Sequence, residues 1–117
     1  MSEAKKQYAY KYDEMEPHKV AEKVERRLVH TDNLMLVNVE FSDGPTEEPD
    51  PFHSHPHEQV SYLADGEIYL FVGNQEKVHL KEGDKFAIPS NVPHTIQRLT
   101  ACVRIIDCFT PLREEFL

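Results

Sequence analysis

Closely spaced turn signals divide the chain into short apolar runs from Leu34 onward, and this division constrains the fold more than any other feature. Glycine, proline, asparagine and aspartate cluster at 42–45, 64–66, 73–74, 81–84 and 89–93. The runs between these clusters are short and rich in valine, isoleucine, tyrosine and phenylalanine, which is typical of β-strands. The predicted strands are 34–41, 59–64, 67–72, 77–80, 85–88, 94–99 and 103–109. Short strands in close succession without intervening helices predict an all-β sandwich or barrel.

The N-terminal region fits two interpretations. Val20, Val24 and Leu28 recur every four residues, which is a spacing typical of an amphipathic helix. The same region also fits a hairpin, because a polar turn and another apolar run follow it. We expect a strand over about 24–30, preceded by an N-terminal arm (residues 1–23) that forms an edge strand or a contact with a partner subunit. The barrel domain is expected to span residues 24–117.

Composition restricts the partners and the location of the protein. The chain of 117 residues is long enough for one domain with a modest core. Its formal net charge of −8 disfavours nucleic acid and anionic membranes as partners. No apolar run approaches the roughly 20 residues of a membrane span, and the N-terminus lacks the hydrophobic core of a secretory signal, so we expect a cytoplasmic protein. Cys102 and Cys108 are expected to be free thiols that pack as small hydrophobic residues.

A dense histidine cluster is the strongest functional signal. Residues 53–59 read His-Ser-His-Pro-His-Glu-Gln, and His94 follows in a later predicted strand. Imidazole nitrogens and oxygen donors gathered on a rigid scaffold are ligands that transition metals prefer. Alternate residues of a strand share a face, which would place the odd-numbered residues of the segment together, although the proline at position 56 interrupts the alternation. The alternative is a surface histidine cluster without a metal, and the ligand chemistry favours the metal site.

The spacing of these residues resembles the two sequence motifs of the cupin family. The first motif, Gly-(x)5-His-x-His-(x)3,4-Glu-(x)6-Gly, is matched by His53, His55, Gln59 in place of glutamate, and Gly66, whereas Glu47 replaces its first glycine. The second motif, Gly-(x)5-Pro-x-Gly-(x)2-His-(x)3-Asn, is matched by Gly83, Pro89 and His94, with Asn91 and Arg98 in place of glycine and asparagine. Two motifs in the same order make the resemblance specific.

The resemblance implies a cupin-type jelly-roll β-barrel in which His53, His55, Gln59 and His94 hold one divalent transition metal. Ni, Zn, Mn, Fe and Cu all accept imidazole together with an amide oxygen. His57 competes with Gln59 for the fourth position, and the family pattern favours Gln59. A neutral amide in place of a carboxylate leaves the charge of the ion uncompensated. Such an ion is a stronger Lewis acid, and redox chemistry with oxygen is less expected.

A carboxylate in the last predicted strand is expected to point into the barrel. Val103, Ile105, Asp107 and Phe109 share one face of this strand. If the aliphatic residues of that face line the barrel, the carboxylate lies inside as well, where it needs the metal, an arginine or a wet cavity nearby. The alternative is a bulge that turns Asp107 to the surface.

The C-terminal segment resembles that of KdgF-type cupins, which end in an Asp-x-Phe-(Ser/Thr)-Pro-x-Arg-Glu pattern. Residues 107–114 follow this pattern, and similar segments at 26–30, 34–37 and 53–59 extend the resemblance over most of the chain. The resemblance implies an enzyme that converts 4,5-unsaturated uronate monosaccharides, released from pectin or alginate, to linear 4-deoxy-5-keto uronates. Its partner would be an anionic sugar, and the protein would be a homodimer.

Carried over by position, Asp107, Phe109 and Arg113 would be the active-site residues beside the metal. Asp107 would move the proton, Phe109 would pack against the sugar ring, and Arg113 would pair with the substrate carboxylate or orient Asp107. Three alternatives stay open: a polyketide-cyclase-like cupin enzyme, an oxygen-dependent dioxygenase, and a cupin that binds sugars without turnover.

Overall fold

The computed structural model describes residues 7–117 and consists mainly of β-strands. The nine strands of this part of the chain are β1 (His18–Ala21), β2 (Val24–His30), β3 (Met35–Phe41), β4 (Glu58–Asp65), β5 (Ile68–Val72), β6 (Val78–Leu80), β7 (Lys85–Ile88), β8 (His94–Arg98) and β9 (Val103–Thr110). Two short 3-10 helices, Tyr12–Glu14 and Glu114–Phe116, flank them. The all-β prediction is confirmed, and every strand predicted from position 34 onward is present within one residue at either end. No helix of the described residues is long and apolar enough to cross a lipid bilayer.

The strands form two antiparallel sheets that share a core. The larger sheet has the order β1-β2-β3-β9-β4-β7, and the smaller sheet has the order β6-β5-β8. Leu63 and Ile105 of the larger sheet pack with Ile68 of the smaller sheet in one buried cluster. Two sheets that bury their apolar faces against each other form the jelly-roll β-barrel that the sequence predicts.

The alternation of side chains in β4 determines which residues face the interior. Gln59 and Ser61 are buried, whereas Val60 and Tyr62 are exposed. In the register between β4 and β9, Ser61 lies opposite Asp107. Three polar side chains of two neighbouring strands therefore point into the barrel together, which is unusual for an interior and marks the site.

The N-terminal region forms strands and not a helix. The strand predicted over 24–30 is present as β2, and β1 pairs with it at the edge of the larger sheet. Tyr12 hydrogen-bonds to Glu40 and lies under the guanidinium of Arg27, whose Cζ is 4.3 Å from the ring centroid. The first six residues of the predicted arm (1–23) lie outside the described residues. Its contact with a partner subunit and the domain boundary at residue 24 stay predictions.

The two cysteines are free thiols, as the sequence predicts. Their expected packing as hydrophobic residues is correct in part for Cys108, which is half-buried. It is wrong for Cys102, which is exposed because it lies in the turn before β9.

Candidate metal centre and active-site cavity

Two distant parts of the chain meet at His53 and His94. His94 is the first residue of β8, and His53 lies in the long connection between β3 and β4. The two residues form an isolated antiparallel bridge in which each backbone N–H donates to the other's carbonyl oxygen, at 3.0 and 2.9 Å. Their ring centroids are 4.2 Å apart. The backbone thus fixes the approach of the two imidazoles.

His55 completes a cluster of three imidazoles. Its ring centroid lies 5.1 Å from that of His94 and 5.8 Å from that of His53. One ring nitrogen from each histidine lies within 4.8 Å of the others, so that one ion could contact all three. Asn91 holds the backbone here, because its N–H donates to the His55 carbonyl at 2.7 Å. Its φ of 65° lies in the left-handed region, which asparagine tolerates better than most residues and which explains its place at a motif glycine.

Backbone carbonyl groups fix the tautomers of two of these histidines. Nδ1 of His55 lies 3.0 Å from the carbonyl oxygen of His57, and Nδ1 of His94 lies 2.8 Å from that of Val92. Because a carbonyl oxygen only accepts, each Nδ1 carries the proton and each Nε2 keeps a lone pair. Nε2 of His94 is buried and has no hydrogen-bond partner within residues 7–117. A buried lone pair is costly unless a ligand satisfies it, so this atom fits a metal ion.

The side chain of Gln59 presents its oxygen to the same place. Ser61 Oγ donates its proton to Asp107 Oδ1 at 2.5 Å, so it can only accept from Nε2 of Gln59, which lies 3.0 Å away. The same Nε2 donates to Asp107 Oδ1 at 3.3 Å. These bonds orient the amide so that its Oε1 faces Nε2 of His55 at 3.1 Å. Two lone-pair atoms at this distance repel each other unless a cation binds both, and the donor set therefore fits a transition metal.

Local electrostatics keep the three imidazoles neutral. The pKa of His53 is lowered to about 4, first by burial and then by the nearby His94, His55 and Arg113. Burial is also the main cause that lowers the pKa of His55 and of His94. His53 is exposed to solvent on one side, whereas His55 and His94 are buried. Neutral imidazole is the form that binds metals, so these side chains are ready to act as ligands at neutral pH.

His57, the predicted competitor of Gln59, does not join this cluster. Its Nε2–H donates to the carbonyl oxygen of Leu112 at 3.1 Å, which directs the ring toward the C-terminal segment. It is not among the three histidines whose ring nitrogens converge. The geometry thus favours Gln59 as the fourth ligand.

Asp107 faces the interior of the barrel beside Gln59. The buried Val103 and Ile105 share its face of β9, and its carboxylate accepts hydrogen bonds from Ser61 and Gln59. Burial raises the pKa of Asp107 to about 6, against the opposing effects of both hydrogen bonds and of the Arg113 charge. A carboxyl group that titrates near neutral pH can both accept and donate a proton, which suits a catalytic acid or base.

A cavity of about 320 Å³ lies against these residues. Six of the seven predicted site residues border it, namely His53, Gln59, His94, Asp107, Phe109 and Arg113. The seventh, His55, packs behind them, with its ring centroid 5.7 Å from that of Phe109. A second concavity of about 380 Å³ contains none of the predicted site residues and is lined largely by charged side chains such as Glu22, Asp65 and Arg104.

Aromatic side chains and an acidic residue fix Arg113 at this cavity. Its Cζ lies 5.0 Å from the ring centroid of Phe109 and 4.3 Å from that of Phe116. Its Nε and Nη2 donate to Glu115 Oε2 at 3.0 and 2.8 Å. The Arg113 charge lowers the pKa of Asp107 and of the three clustered histidines. Arg113 therefore acts electrostatically on the whole site without a direct hydrogen bond to it.

Three further residues that the sequence motifs do not mark contribute to the site. Ser61 holds Asp107, and it could have been found because it shares the buried face of β4 with Gln59. Arg26 borders the cavity from β2. It could have been found because it lies two residues after Val24, on the same face of the strand, and Val24 also lines the cavity. Phe116 supports Arg113, but no sequence signal marked it, because its position depends on the path of the C-terminal segment.

Comparisons with known sequences identify relatives over most of the chain. Residues 39–105 match the family model of the cupin domain. The pectin degradation protein KdgF of Dickeya dadantii is 30% identical over 107 residues, which cover 90% of this chain and 94% of that protein. The 3-hydroxyanthranilate 3,4-dioxygenase of Xenopus laevis is 30% identical over 83 residues, which cover 68% of this chain but only 28% of that protein.

Solved structures agree with these matches. KdgF from Halomonas sp. superposes with a TM-score of 0.81 at 30% identity, over 92% of this chain and 98% of that one. An RmlC-like cupin from Shewanella frigidimarina superposes with a TM-score of 0.84 at 28% identity, over 96% and 97% of the two chains. The chain belongs to the cupin family, and its similarity to KdgF over nearly its whole length makes it a KdgF-like cupin.

Proposed function

We propose that this protein is a metal-dependent enzyme that converts 4,5-unsaturated uronate monosaccharides to linear 4-deoxy-5-keto uronates. The observation that carries the proposal is the chain of side-chain contacts from Asp107 through Gln59 to His55, at the edge of a cavity. This chain puts a proton-transfer group and a candidate metal site against the same small space. The similarity to a pectin degradation protein supports uronates as the substrate class.

The cavity suits a small anionic molecule. Its volume of about 320 Å³ is at the lower end of the roughly 300–1,000 Å³ of small-molecule sites. Phe109 offers an aromatic face for a sugar ring, and Arg113 supplies positive charge beside it. A local positive potential is needed here, because the chain as a whole carries a formal charge of −8.

The metal is proposed to be held by His53, His55, Gln59 and His94. A divalent ion such as Ni, Zn, Mn, Fe or Cu would supply Lewis acidity toward substrate oxygen atoms. All four donors are neutral, so none of them offsets the charge of the ion. This property favours binding of an anion and stabilisation of negative charge that develops during a reaction.

Asp107 is proposed to move the one proton that the isomerisation transfers. Loss of the proton from the C1 hydroxyl forms the aldehyde, and the electrons of the bond between C1 and the ring oxygen move to that oxygen. The product of this step is an enolate at C5. Protonation of the enolate at C4 forms the C5 carbonyl, and the linear product has the composition of the cyclic substrate. A carboxylate that accepts the first proton and returns it to C4 completes both transfers.

Neighbouring side chains support this role of Asp107. Ser61 and Gln59 hold one carboxylate oxygen in place, so that Oδ1 has a fixed position at the cavity. The positive charge of Arg113 stabilises the ionised form of Asp107 and would stabilise the enolate in the same way. Fixed charges of this kind assist a reaction because they need no reorganisation when the charge develops.

Direct assay of purified, metal-loaded protein tests the proposal. The substrates are unsaturated galacturonate and unsaturated mannuronate monomers, and the readout is the loss of absorbance of the C4=C5 double bond. The expected result is a rate well above that of a protein-free control for at least one monomer, with the linear keto product identified by NMR. If the protein accelerates the loss of neither monomer, the proposed activity is wrong.

The similarity to 3-hydroxyanthranilate 3,4-dioxygenase favours a second candidate, an oxygen-dependent dioxygenase. Gln59 weighs against it, because non-haem iron oxygenases commonly bind the metal with a carboxylate. Oxygen uptake in the presence of ferrous iron and 3-hydroxyanthranilate discriminates the two candidates. Uptake that depends on both would replace the proposed isomerase.

We also propose that the protein is a cytoplasmic homodimer. The outer face of the larger sheet exposes Leu36, Val60 and Tyr62, which a second copy could cover. Sedimentation equilibrium at micromolar concentration measures the mass directly, and cell fractionation tests the location.

A further inference from the structure

Arg26 borders the active-site cavity from β2 and has no part in the function proposed above. It lies between Val24 and Leu28 on the inward face of the strand, and the same cavity is lined by His53, Asp107 and Arg113. Its neighbour in sequence, Arg27, is a useful contrast because it lies on the other face. Arg27 forms ion pairs with two glutamates, at 3.0 and 3.8 Å.

The guanidinium of Arg26 lacks such compensation. Within residues 7–117, Arg26 forms no ion pair, and its Nε is buried without a hydrogen-bond partner. A buried guanidinium N–H without an acceptor costs free energy, so a fold retains it where something else can accept the hydrogen bond. Because the side chain borders the cavity, the terminal nitrogens of the guanidinium are expected to find their acceptor on a ligand bound there.

Phe116 holds Arg26 close to a second arginine. The Cζ of Arg26 lies 3.9 Å from the ring centroid of Phe116, and the Cζ of Arg113 lies 4.3 Å from the same centroid. Burial and the charge of Arg113 both lower the pKa of Arg26, against the opposing effect of the Glu115 charge. The two guanidinium groups that contact the Phe116 ring repel each other, and an anion between or beside them relieves that repulsion.

The two arginines are not equivalent as anion receptors. Arg113 already donates two hydrogen bonds to Glu115 Oε2, which offsets its charge and occupies one edge of its guanidinium. Arg26 forms no ion pair among the described residues, although the charge of Glu115 acts on it at longer range, and its planar group can donate two parallel hydrogen bonds to one carboxylate. Of the two, Arg26 has the greater capacity for a substrate carboxylate.

We propose that Arg26 binds the carboxylate of the uronate inside the cavity and makes the protein selective for acidic over neutral sugars. This inference rests on the proposed substrate class and adds a specificity-determining residue to it. Phe116 is then a positioning residue, because it fixes the guanidinium of Arg26 by a cation–π contact.

The test compares Arg26→Gln with Arg104→Gln. Arg104 is also on the larger sheet, but its side chain is 46% exposed and does not border the cavity, so its loss controls for the change in net charge. Each protein is assayed with an unsaturated uronate and with its methyl ester, which lacks the negative charge. We expect Arg26→Gln to raise KM for the acid about 10- to 100-fold with kcat changed less than about threefold.

The ratio of kcat/KM for acid to ester distinguishes recognition from loss of structure. Arg26→Gln is expected to lower this ratio at least about tenfold, because only the acid loses a charged contact. Arg104→Gln should leave the ratio unchanged. Arg26→Lys, which keeps the charge but not the planar group, should recover part of it. A folded Arg26→Gln protein with the wild-type ratio would overturn the inference.

A binding measurement keeps the inference separate from the proposed reaction. Calorimetric titration with galacturonate, which is saturated and does not react, reports carboxylate binding without turnover. If wild type binds galacturonate more tightly than Arg26→Gln does, the inference stands even when no unsaturated uronate is converted. If the two proteins bind it equally, or neither binds it, the inference is wrong.

Discussion

Two inward-facing charged side chains, Arg98 and Asp107, illustrate opposite uses of charge in this barrel. Arg98 is 6% exposed, and its guanidinium forms ion pairs with Asp43 at 3.0 Å and with Asp50 at 2.8 Å. It also stacks on Phe41, with Cζ 4.6 Å from the ring centroid. The positive charge is fully compensated by residues of the long connection between β3 and β4.

The negative charge of Asp107 is compensated much less than the positive charge of Arg98. Its hydrogen-bond donors, Ser61 and Gln59, are both neutral, and Arg113, whose positive charge acts on it, makes no hydrogen bond to it. Full compensation of a buried charge stabilises a fold, whereas partial compensation leaves a group able to change its protonation state. The comparison indicates that Arg98 ties the connection that carries His53 to β8, and that Asp107 is available for chemistry.

Removal of the metal should have the largest effect on the Asp107 region. We expect treatment with a strong chelator to lower the rate on unsaturated uronates at least about 100-fold, because Lewis acidity and anion binding are lost together. Addition of one divalent ion per chain should restore the rate. The far-ultraviolet circular dichroism spectrum should stay unchanged, since the buried apolar clusters around Leu63 and around Met35 include none of the proposed metal ligands. Full activity of protein shown by elemental analysis to be free of metal would contradict the expected role.

Substitution Asp107→Asn should separate activity from stability. The amide keeps the shape of the side chain but cannot accept a proton, so kcat is expected to fall about 100- to 10,000-fold. The melting temperature should not fall, because an inward-facing and weakly compensated carboxylate is removed. Steady-state kinetics and thermal denaturation of the same preparation measure both quantities. A variant that keeps wild-type kcat would remove Asp107 from the mechanism.

Substitution Arg98→Met should lower stability and leave kcat nearly unchanged, the reverse of the effect of Asp107→Asn. Methionine keeps the apolar stem but leaves Asp43 and Asp50 without their partner, and we expect a loss of about 1–3 kcal/mol in the free energy of unfolding. This range is reduced from that of fully buried pairs because both aspartates are partly exposed. The kcat of the protein that remains folded should be close to wild type. Denaturant titration measures the loss, and an unchanged midpoint would show that the ion pairs do not support the fold.

Substitutions at Asn91 should give the smallest effects. Glycine adopts its φ of 65° without strain, so Asn91→Gly is expected to change stability by less than about 1 kcal/mol. Asn91→Ala should be less stable than both by about 1 kcal/mol, since a side chain without a local hydrogen-bonding group tolerates this region poorly. Chemical denaturation ranks the three proteins. If alanine proved as stable as glycine, the left-handed backbone at this turn would not limit the choice of residue.

Sequence patterns predicted the strands and the histidine cluster because both depend on local information. The turn residues mark the ends of the strands. The spacing of His53, His55 and His94 can be recognised in the sequence even though these residues belong to separate elements. The alternation of side chains along β9 was sufficient to place Asp107 on the inward face.

The features that were missed depend on register and on chain path. The contact of Ser61 with Asp107 requires the alignment of β4 with β9, which no single strand encodes. Arg98 stands where the family motif has asparagine, and its partners Asp43 and Asp50 lie about fifty residues earlier in the sequence. Sequence alone gave no reason to connect them.

The orientation of the His55 and His94 rings depends on their own backbone segments and not on the rest of the site. Each imidazole is anchored to a carbonyl only two positions away in its own segment, one C-terminal and one N-terminal. Ring orientation is thus encoded locally and does not rely on the groups that would contact a substrate. Residues such as Gln59, Arg26 and Asp107 can then be exchanged in laboratory evolution to install a new reaction while the imidazole frame stays intact.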